Sequence, residues 1–297
     1  MKVGVTVPNN WGVEDAREML AMGPLAEQLG FDSVWVMDHL FHAGFVTERL
    51  GTKPYYHPLA VLSHLSATTS RVALGTGVLV LPYHDPIEMA KYYATLDHMS
   101  GGRVIAGVGV GSLAPEFEAL GVPMAERGAR TTEAIRLMQE LWTAGQPTFQ
   151  SKHFDVRGVG FYPLPVQSPL PLWVGGTSDA AKCRAARHGT GWLPNNTKPE
   201  DYAARADEVR ALATEAGRDP SVLTMAVLVQ AGVHGSAGGD AAHTSTIWAD
   251  DADAMRTLLG GYRDAGVDHV VVAIGSGDIP LHRNAMEAIA SVLADVR

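Results

Sequence analysis

The most informative stretch for the fold is Arg71-Val72-Ala73-Leu74-Gly75-Thr76-Gly77-Val78-Leu79-Val80-Leu81-Pro82. In it, glycines interrupt a strand that is otherwise apolar. The runs 72–74 and 78–81 are apolar on both faces, which is typical of a parallel strand covered on both sides. A glycine inside a strand usually marks a bulge or the close approach of a ligand to the main chain. Tight packing against a helix would explain a single glycine equally well. The stretch therefore predicts a buried strand with a bulge.

The rest of the chain alternates between strand-like and helix-like segments, with no change in composition that would mark a domain boundary. Such alternation predicts parallel strands joined by helical crossovers, and eight units in about 250 residues predict a closed (β/α)8 TIM barrel. A doubly wound sheet is the alternative. However, Gly107-Val-Gly109-Val-Gly111 lacks the G-x-G-x-x-G spacing of a dinucleotide-binding fold.

The segment 146–169 differs from its surroundings, because it is rich in proline and aromatic residues. It predicts a hairpin and an extended loop inserted between strands four and five of the barrel, rather than a second domain. We therefore expect residues 1–297 to form a single α/β domain.

Composition restricts the partners of the protein. A formal net charge of −9 without a cluster of lysine or arginine disfavours nucleic acid and anionic membranes. The lone Cys183 fits a reducing compartment, and no apolar run approaches the ~20 residues needed to span a bilayer. The amino terminus also lacks the apolar region of a signal peptide. These features predict a cytoplasmic protein with no membrane and no nucleic-acid partner.

Glycines recur within or just after the predicted strands, and the carboxyl ends of barrel strands share one face. We therefore expect a large flat ligand to lie against main chain at this face. The segment Gly175-Gly176-Thr177-Ser178 adds a helix N-terminus with free N–H groups and two hydroxyls, which predicts a phosphate site. The glycines concerned are Gly75, Gly77, Gly107, Gly109, Gly111, Gly175, Gly176, Gly189, Gly191, Gly275 and Gly277.

Other kinds of chemistry have weaker support in the sequence. The lysines fall away from the predicted strand ends, where a Schiff-base aldolase would need one. Asp38, His39 and His42 are the best candidates for metal ligands, but the other strand ends add few, and we predict no metal site. The pattern favours an organic cofactor that performs the difficult step.

The ordered motifs of this chain resemble those of the luciferase-like monooxygenase superfamily, with the greatest likeness to its coenzyme F420 (deazaflavin)-dependent oxidoreductases. Members that use flavin mononucleotide (FMN) share most of these motifs, so FMN is the alternative cofactor. The motifs are Arg71-Val-Ala-Leu-Gly-Thr-Gly-Val78, Asp85-Pro86, Gly101-Gly-Arg103, Gly107-Val-Gly-Val-Gly111, Glu116-Phe-Glu-Ala-Leu-Gly121, Glu126-Arg-Gly128 with Arg130, and Pro171-Leu-Trp-Val-Gly175-Gly176.

The resemblance implies a cofactor site along the face that carries the glycines. A non-prolyl cis peptide between Gly77 and Val78 would back the middle ring of the cofactor, and residues 175–178 would hold its phosphate. The implied cofactor-binding residues are Asp38, Thr76, Gly77, Val78, Gly109, Gly111, Gly175, Gly176, Thr177 and Ser178.

The resemblance also implies a catalytic residue and an activity. His39 matches a position that faces substrate in several deazaflavin enzymes, and it is the candidate proton donor, with Tyr83 or His84 as alternatives. Ser112 stands where sugar-phosphate dehydrogenases of this superfamily carry a glutamate, which argues against a sugar phosphate.

We therefore predict a homodimeric F420-dependent oxidoreductase that acts on a small organic molecule. An FMN-dependent monooxygenase that uses dioxygen and a non-catalytic cofactor-binding protein are the alternatives.

Overall fold

Parallel strands form a closed barrel in the computed structural model, which describes residues 1–236 and 247–297. The strands are β1 (Lys2–Thr6), β2 (Ser33–Val36), β3 (Ala73–Thr76), β4 (Leu79–Val80), β5 (Val104–Gly109), β6 (Phe149–Gln150), β7 (Asp155–Val156), β8 (Leu172–Gly175), β9 (Gly191–Leu193), β10 (Thr224–Ala231) and β11 (His269–Ile274). The order around the sheet is β3-β2-β1-β11-β10-β9-β8-β5, and β5 pairs back with β3 to close the ring. This closed eight-stranded ring confirms the predicted (β/α)8 barrel.

Helices connect successive barrel strands and cover the outside of the ring. They are α1 (Ala16–Gln28), α2 (Phe45–Leu50), α3 (Pro58–Thr68), α4 (Pro86–Ser100), α5 (Ala114–Ala119), α6 (Arg127–Thr143), α7 (Asp179–His188), α8 (Pro199–Glu215), α9 (Ala252–Asp264), α10 (Ile279–Ser291) and α11 (Leu293–Val296). Side chains at several N-caps explain where these helices begin, because Asp15, Asp85, Ser178, Asp251 and Asp278 accept backbone N–H groups of the first turn. Among the described residues, no helix has the length and apolar character needed to cross a membrane.

The strand predicted within residues 71–82 is split into β3 and β4 by a cis peptide bond between Gly77 and Val78. Pairing with the neighbouring β5 resumes after this break with the register shifted by one residue, since Gly75 pairs with Ile105 and Leu79 pairs with Val108. The expected bulge and cis bond are both present.

Two details of the chain were not anticipated or need correction. The segment between β2 and α3 contains the short helix α2, which no pattern in the sequence indicated. Gly189 and Gly191 were expected near the carboxyl end of a strand, but β9 begins at Gly191, so both lie at its amino end. Between α6 and β8, β6 and β7 form an antiparallel hairpin with Phe149 opposite Val156.

Large side chains fill the interior of the barrel towards its amino end. Trp35 and Trp173 lie with their ring centres 5.3 Å apart, and His269 packs edge-on against both rings. The Trp35 indole donates to Ser33 Oγ at 2.7 Å, and Ser33 Oγ lies 2.7 Å from His269 Nε2. Because the described side chains fill this end, we expect a ligand to bind at the carboxyl ends of the strands.

Candidate active site

A cavity of about 410 Å³ opens at the carboxyl ends of the barrel strands. Its size falls in the range of cofactor and small-molecule sites, which is roughly 300–1,000 Å³. The cavity floor consists of Val78, Leu193, Leu228 and Ala273, which pack on the side chains inside the barrel. One side of the cavity is formed by the segments that follow β1 and β2, including α2. Most of the polar groups of the cavity therefore come from connecting segments.

Eight of the residues that the sequence assigns to the site line this cavity, and three do not. Those that line it are Asp38, His39, Gly77, Val78, Gly109, Gly111, Gly175 and Gly176. Thr76 lies in the barrel wall, where its hydroxyl donates to the Gly107 carbonyl at 2.7 Å and contacts the Tyr93 hydroxyl at 2.9 Å. Thr177 and Ser178 are exposed, and Ser178 Oγ accepts the N–H of Ala181 at 3.3 Å as the N-cap of α7.

Two of the cavity glycines make room for a neighbouring side chain. A Cβ on Gly109 would lie 2.5 Å from Val78 Cγ2, and one on Gly175 would lie 2.7 Å from Val78 Cγ1. The missing side chains therefore let Val78 lie between β5 and β8 and form part of the cavity floor. The sequence interpreted these glycines as bare backbone for a ligand, whereas the structure shows that they also serve packing.

Other glycines from the predicted set are explained by packing inside the barrel. A Cβ on Gly75 would lie 2.4 Å from the Trp35 ring, and one on Gly107 would lie 1.9 Å from the Thr76 carbonyl oxygen. Neither residue lines the cavity. The glycines at the cavity are therefore fewer than the sequence predicted.

His39 forms a close pair with a buried carboxylate. Its Nδ1 lies 2.6 Å from Glu116 Oε2, while Glu116 Oε1 accepts the backbone N–H groups of Leu40 at 2.9 Å and Phe41 at 3.0 Å. Burial raises the pKa of Glu116, but the hydrogen bonds from His39 and from these N–H groups outweigh it and lower the pKa. Glu116 is therefore an ionised partner that fixes the imidazole ring.

The His39 side chain is 16% exposed and lines the cavity. Within residues 1–236 and 247–297, its Nε2 makes no hydrogen bond. A ring held through Nδ1 by a carboxylate and open at Nε2 is the arrangement that general acid–base catalysis requires. Glu116 belongs to a motif of the sequence, but its contact with His39 spans 77 residues, so no local pattern indicates it.

Asp38 connects the end of β2 to the strand that follows the cis bond. Its Oδ2 accepts the N–H of Val80 at 2.8 Å and lies 2.9 Å from His84 Nε2. Its Oδ1 is buried and has no hydrogen-bond partner among the described residues. His84 and Tyr83, the alternative proton donors, do not line the cavity. Asp38 therefore holds the bulge and leaves one oxygen for a ligand.

Three further residues that the sequence did not single out line the cavity: Trp11 after β1, Arg49 on α2 and Tyr55 before α3. They lie in connecting segments, where neither hydrophobic periodicity nor a glycine motif marks a functional position. Only the three-dimensional structure brings them together with His39.

The fold and the cavity define a barrel protein with a small-molecule site at the carboxyl ends of its strands. Within that class, the chain belongs to the luciferase-like monooxygenase family, whose model matches residues 1–270. This match confirms the superfamily that the motifs indicated.

Several known proteins with similar sequences share the name of one enzyme. A protein of Microbacterium testaceum named F420-dependent glucose-6-phosphate dehydrogenase is 36% identical over 216 residues, which cover 68% of this chain and 61% of that protein. A protein of the same name from Beutenbergia cavernae is 40% identical over 190 residues, which cover 61% of this chain and 53% of that protein. The chain thus spans between half and two thirds of the length of these relatives.

A solved structure has the same fold over the whole chain. It is an F420-dependent secondary alcohol dehydrogenase in complex with an F420-acetone adduct. It superimposes with a TM-score of 0.84 at 22% identity, covering 100% of this chain and 99% of that chain.

Proposed function

We propose that this protein is an F420-dependent oxidoreductase that transfers a hydride between the deazaflavin and a small organic substrate. The proposal depends chiefly on one observation: His39, paired with Glu116, lines the same cavity as the apolar floor. The names of the relatives support F420 as the cofactor. The family as a whole also supports FMN, which makes an FMN-dependent monooxygenase the second candidate.

The residues of the cavity fit a planar cofactor. The Val78 side chain lies in the floor between Gly109 and Gly175. The neighbouring residue Gly77 has no side chain, so its main chain is open to the cavity. The unpartnered Asp38 Oδ1 would accept a hydrogen bond from a ring N–H. Gly176 and the N-terminus of α7 would hold the phosphate, with Thr177 beside them. When bound, the deazaflavin supplies the hydride chemistry that no side chain provides.

His39 would move the proton that accompanies hydride transfer. Its Nε2 would donate to the substrate oxygen when a carbonyl is reduced, or accept the proton when an alcohol is oxidised. Glu116 would stabilise the protonated imidazole and keep its Nδ1–H directed away from the substrate. Asp38 would hold the Val80 N–H and thereby keep the bulge in position beneath the ring.

We propose a substrate other than a sugar phosphate, although two relatives are named for glucose 6-phosphate. Ser112 lines the cavity. The resemblance to the superfamily implies a glutamate at this position in its sugar-phosphate dehydrogenases. Among the described residues that line the cavity, Arg49 is the only lysine or arginine, whereas a phosphate monoester usually requires several cations.

Equilibrium binding of F420 and of FMN, measured by fluorescence quenching, tests the proposal. We expect F420 to bind at least tenfold more tightly than FMN and the loaded protein to oxidise or reduce members of an alcohol, ketone and enone panel. A yellow protein that consumes reduced flavin and dioxygen would support the monooxygenase instead. Tight F420 binding without turnover of the whole panel would point to a cofactor-binding protein.

A further inference from the structure

Arg49 brings a positive charge to the cavity that no carboxylate neutralises. Its guanidinium carbon lies 4.6 Å from the centre of the Trp11 ring, and its Nη2 donates to the Asn10 carbonyl at 3.1 Å. Over residues 1–236 and 247–297, no aspartate or glutamate lies within ion-pair distance of it. Stacking on Trp11 fixes the orientation of the guanidinium, and the charge is left for a ligand.

Two hydrogen-bond donors at this side of the cavity are buried and have no partner among the residues that the structure describes. They are Arg49 Nε and the Tyr55 hydroxyl. Burial raises the pKa of Tyr55 well above its ordinary value, with the Asp38 charge adding to the effect, so the hydroxyl stays protonated and acts as a donor. A buried donor that lacks a partner is destabilising, and a ligand acceptor would offset this cost.

The carboxylates of the site do not satisfy these donors, because among the described residues no hydrogen bond joins Asp38 or Glu116 to Arg49 Nε or the Tyr55 hydroxyl. Glu116 receives hydrogen bonds from His39, Leu40 and Phe41, and Asp38 Oδ2 receives the Val80 N–H. A planar guanidinium with free N–H groups matches the two oxygens of a carboxylate, and a nearby hydroxyl adds a further donor. One cation suits a single negative charge better than a phosphate dianion.

We propose that Arg49, assisted by Tyr55, binds the carboxylate of an organic-acid substrate, with the apolar part of that substrate against Trp11 and Phe45. The inference rests on the proposed oxidoreductase function, and it adds the chemical class of the substrate. Trp11 and Phe45 both flank the guanidinium, whose carbon lies 5.9 Å from the Phe45 ring centre.

Binding of matched acids and amides to the F420-loaded protein tests this proposal by calorimetry. The probes are benzoate against benzamide and cyclohexanecarboxylate against cyclohexanecarboxamide, which differ in charge but little in shape. We expect each acid to bind at least tenfold more tightly than its amide, since charge-assisted hydrogen bonds are roughly twice as strong as neutral ones. Arg49→Met should abolish the preference, Arg49→Lys should retain part of it, and Tyr55→Phe should weaken acid binding a few-fold.

Arg17→Met is the matched control, because the Arg17 side chain is 89% exposed and does not line the cavity. It should bind acids and amides as the unaltered protein does. Equal binding of acid and amide by the unaltered protein, or an acid preference that survives Arg49→Met, would overturn the proposal. So would a loss of F420 affinity in Arg49→Met without any acid preference, because Arg49 would then bind an anionic group of the cofactor.

The outcome for the cofactor stays separate from the outcome for the substrate. A protein that binds no F420 contradicts the proposed function, while the preference for acids is still measured on the unloaded chain. Arg49→Lys keeps a cation at the same position, so it provides a folded comparison where Arg49→Met loses its packing on Trp11.

Discussion

The two ends of the barrel each hold a histidine, but the two are used differently. His269, at the amino end, is 3% exposed and lies 2.7 Å from Ser33 Oγ, and burial lowers its pKa to about 4. It is therefore neutral and has its polar contact inside the protein. His39, at the carboxyl end, bonds to the carboxylate of Glu116 and faces the cavity.

Polar atoms without partners show the same difference. Four of the seven described side-chain atoms that are buried and lack a hydrogen bond belong to residues of the cavity: Asn10, Asp38, Arg49 and Tyr55. None belongs to the cluster of Ser33, Trp35 and His269. A network that is complete within the protein stabilises the fold, whereas an incomplete one has the capacity to bind a ligand.

The strongest test of this difference is the removal of the imidazole at the cavity. His39→Asn should lower kcat by roughly 10²–10⁴-fold, because general acid–base catalysis contributes about that much. The melting temperature and the Kd for F420 should stay close to those of the unaltered protein. Steady-state kinetics and thermal unfolding measure both, and a kcat within threefold of the original would exclude His39 as the proton donor.

The converse change at the amino end should affect folding alone. His269→Ala removes a buried ring and leaves Ser33 and the two tryptophans less well packed, so we expect a loss of about 3 kcal/mol in the free energy of unfolding. Urea titrations would measure this loss. The Kd for F420 should be unchanged in protein that remains folded, and a tenfold change in that Kd would contradict the separation of the two ends.

Acid should also reveal the buried histidines of the fold. Burial lowers the pKa of both His269 and His282 from 6.5 to about 4, so the unfolded chain binds more protons than the native protein between these values. The stability that they contribute is complete above pH 6.5 and is lost as the pH falls towards 4. Between pH 7 and 5, each should cost about 2 kcal/mol of unfolding free energy.

Urea titrations at both pH values, on the unaltered protein and on His269→Ala, check this loss. The variant should lose about 2 kcal/mol less than the unaltered protein on acidification, because the contribution of His269 is removed while that of His282 remains. Burial raises the pKa of Glu27, but hydrogen bonds from residues 70–72 outweigh it and lower the pKa to about 2. The stability that Glu27 contributes is therefore lost only below this pH range. An equal acid loss in both proteins would show that His269 titrates normally.

The smallest effect concerns the partner of the catalytic histidine. Glu116→Gln retains the size of the side chain but removes the charge that stabilises a protonated imidazole, so kcat should fall about tenfold. Glu118→Gln, on the same helix but exposed, is the control and should leave kcat unchanged. The ratio of the two kcat values decides the matter, and a ratio near one would limit Glu116 to a structural role.

Sequence periodicity was sufficient to predict the barrel, since buried strands and amphipathic crossovers are local features. The bulge at Gly77 and the position of His39 were also predictable, because both lie in motifs next to strand ends. The same glycine signal was wrong for Gly189 and Gly191, which it placed at the carboxyl end of a strand. Strand β9 begins at Gly191, so both glycines lie at its amino end. A shift of a few residues in a strand boundary moves a residue to the other end of the barrel.

Contacts between distant segments could not be predicted in this way. The pairing of Glu116 with His39 and the stacking of Arg49 on Trp11 depend on how loops fold over the barrel end. No pattern within either segment encodes its partner. The glycines and Val78 at the cavity were thus visible in the sequence, while the rest of the floor and most of the polar side of the cavity were not.

The position of Val78 between Gly109 and Gly175 has a consequence for how this chain can change over evolutionary time. An alanine at either glycine would collide with the valine, whereas a smaller residue at position 78 would relieve the collision. Among homologous sequences, these three positions should therefore covary. A laboratory library that varies them together would recover active combinations that single replacements miss.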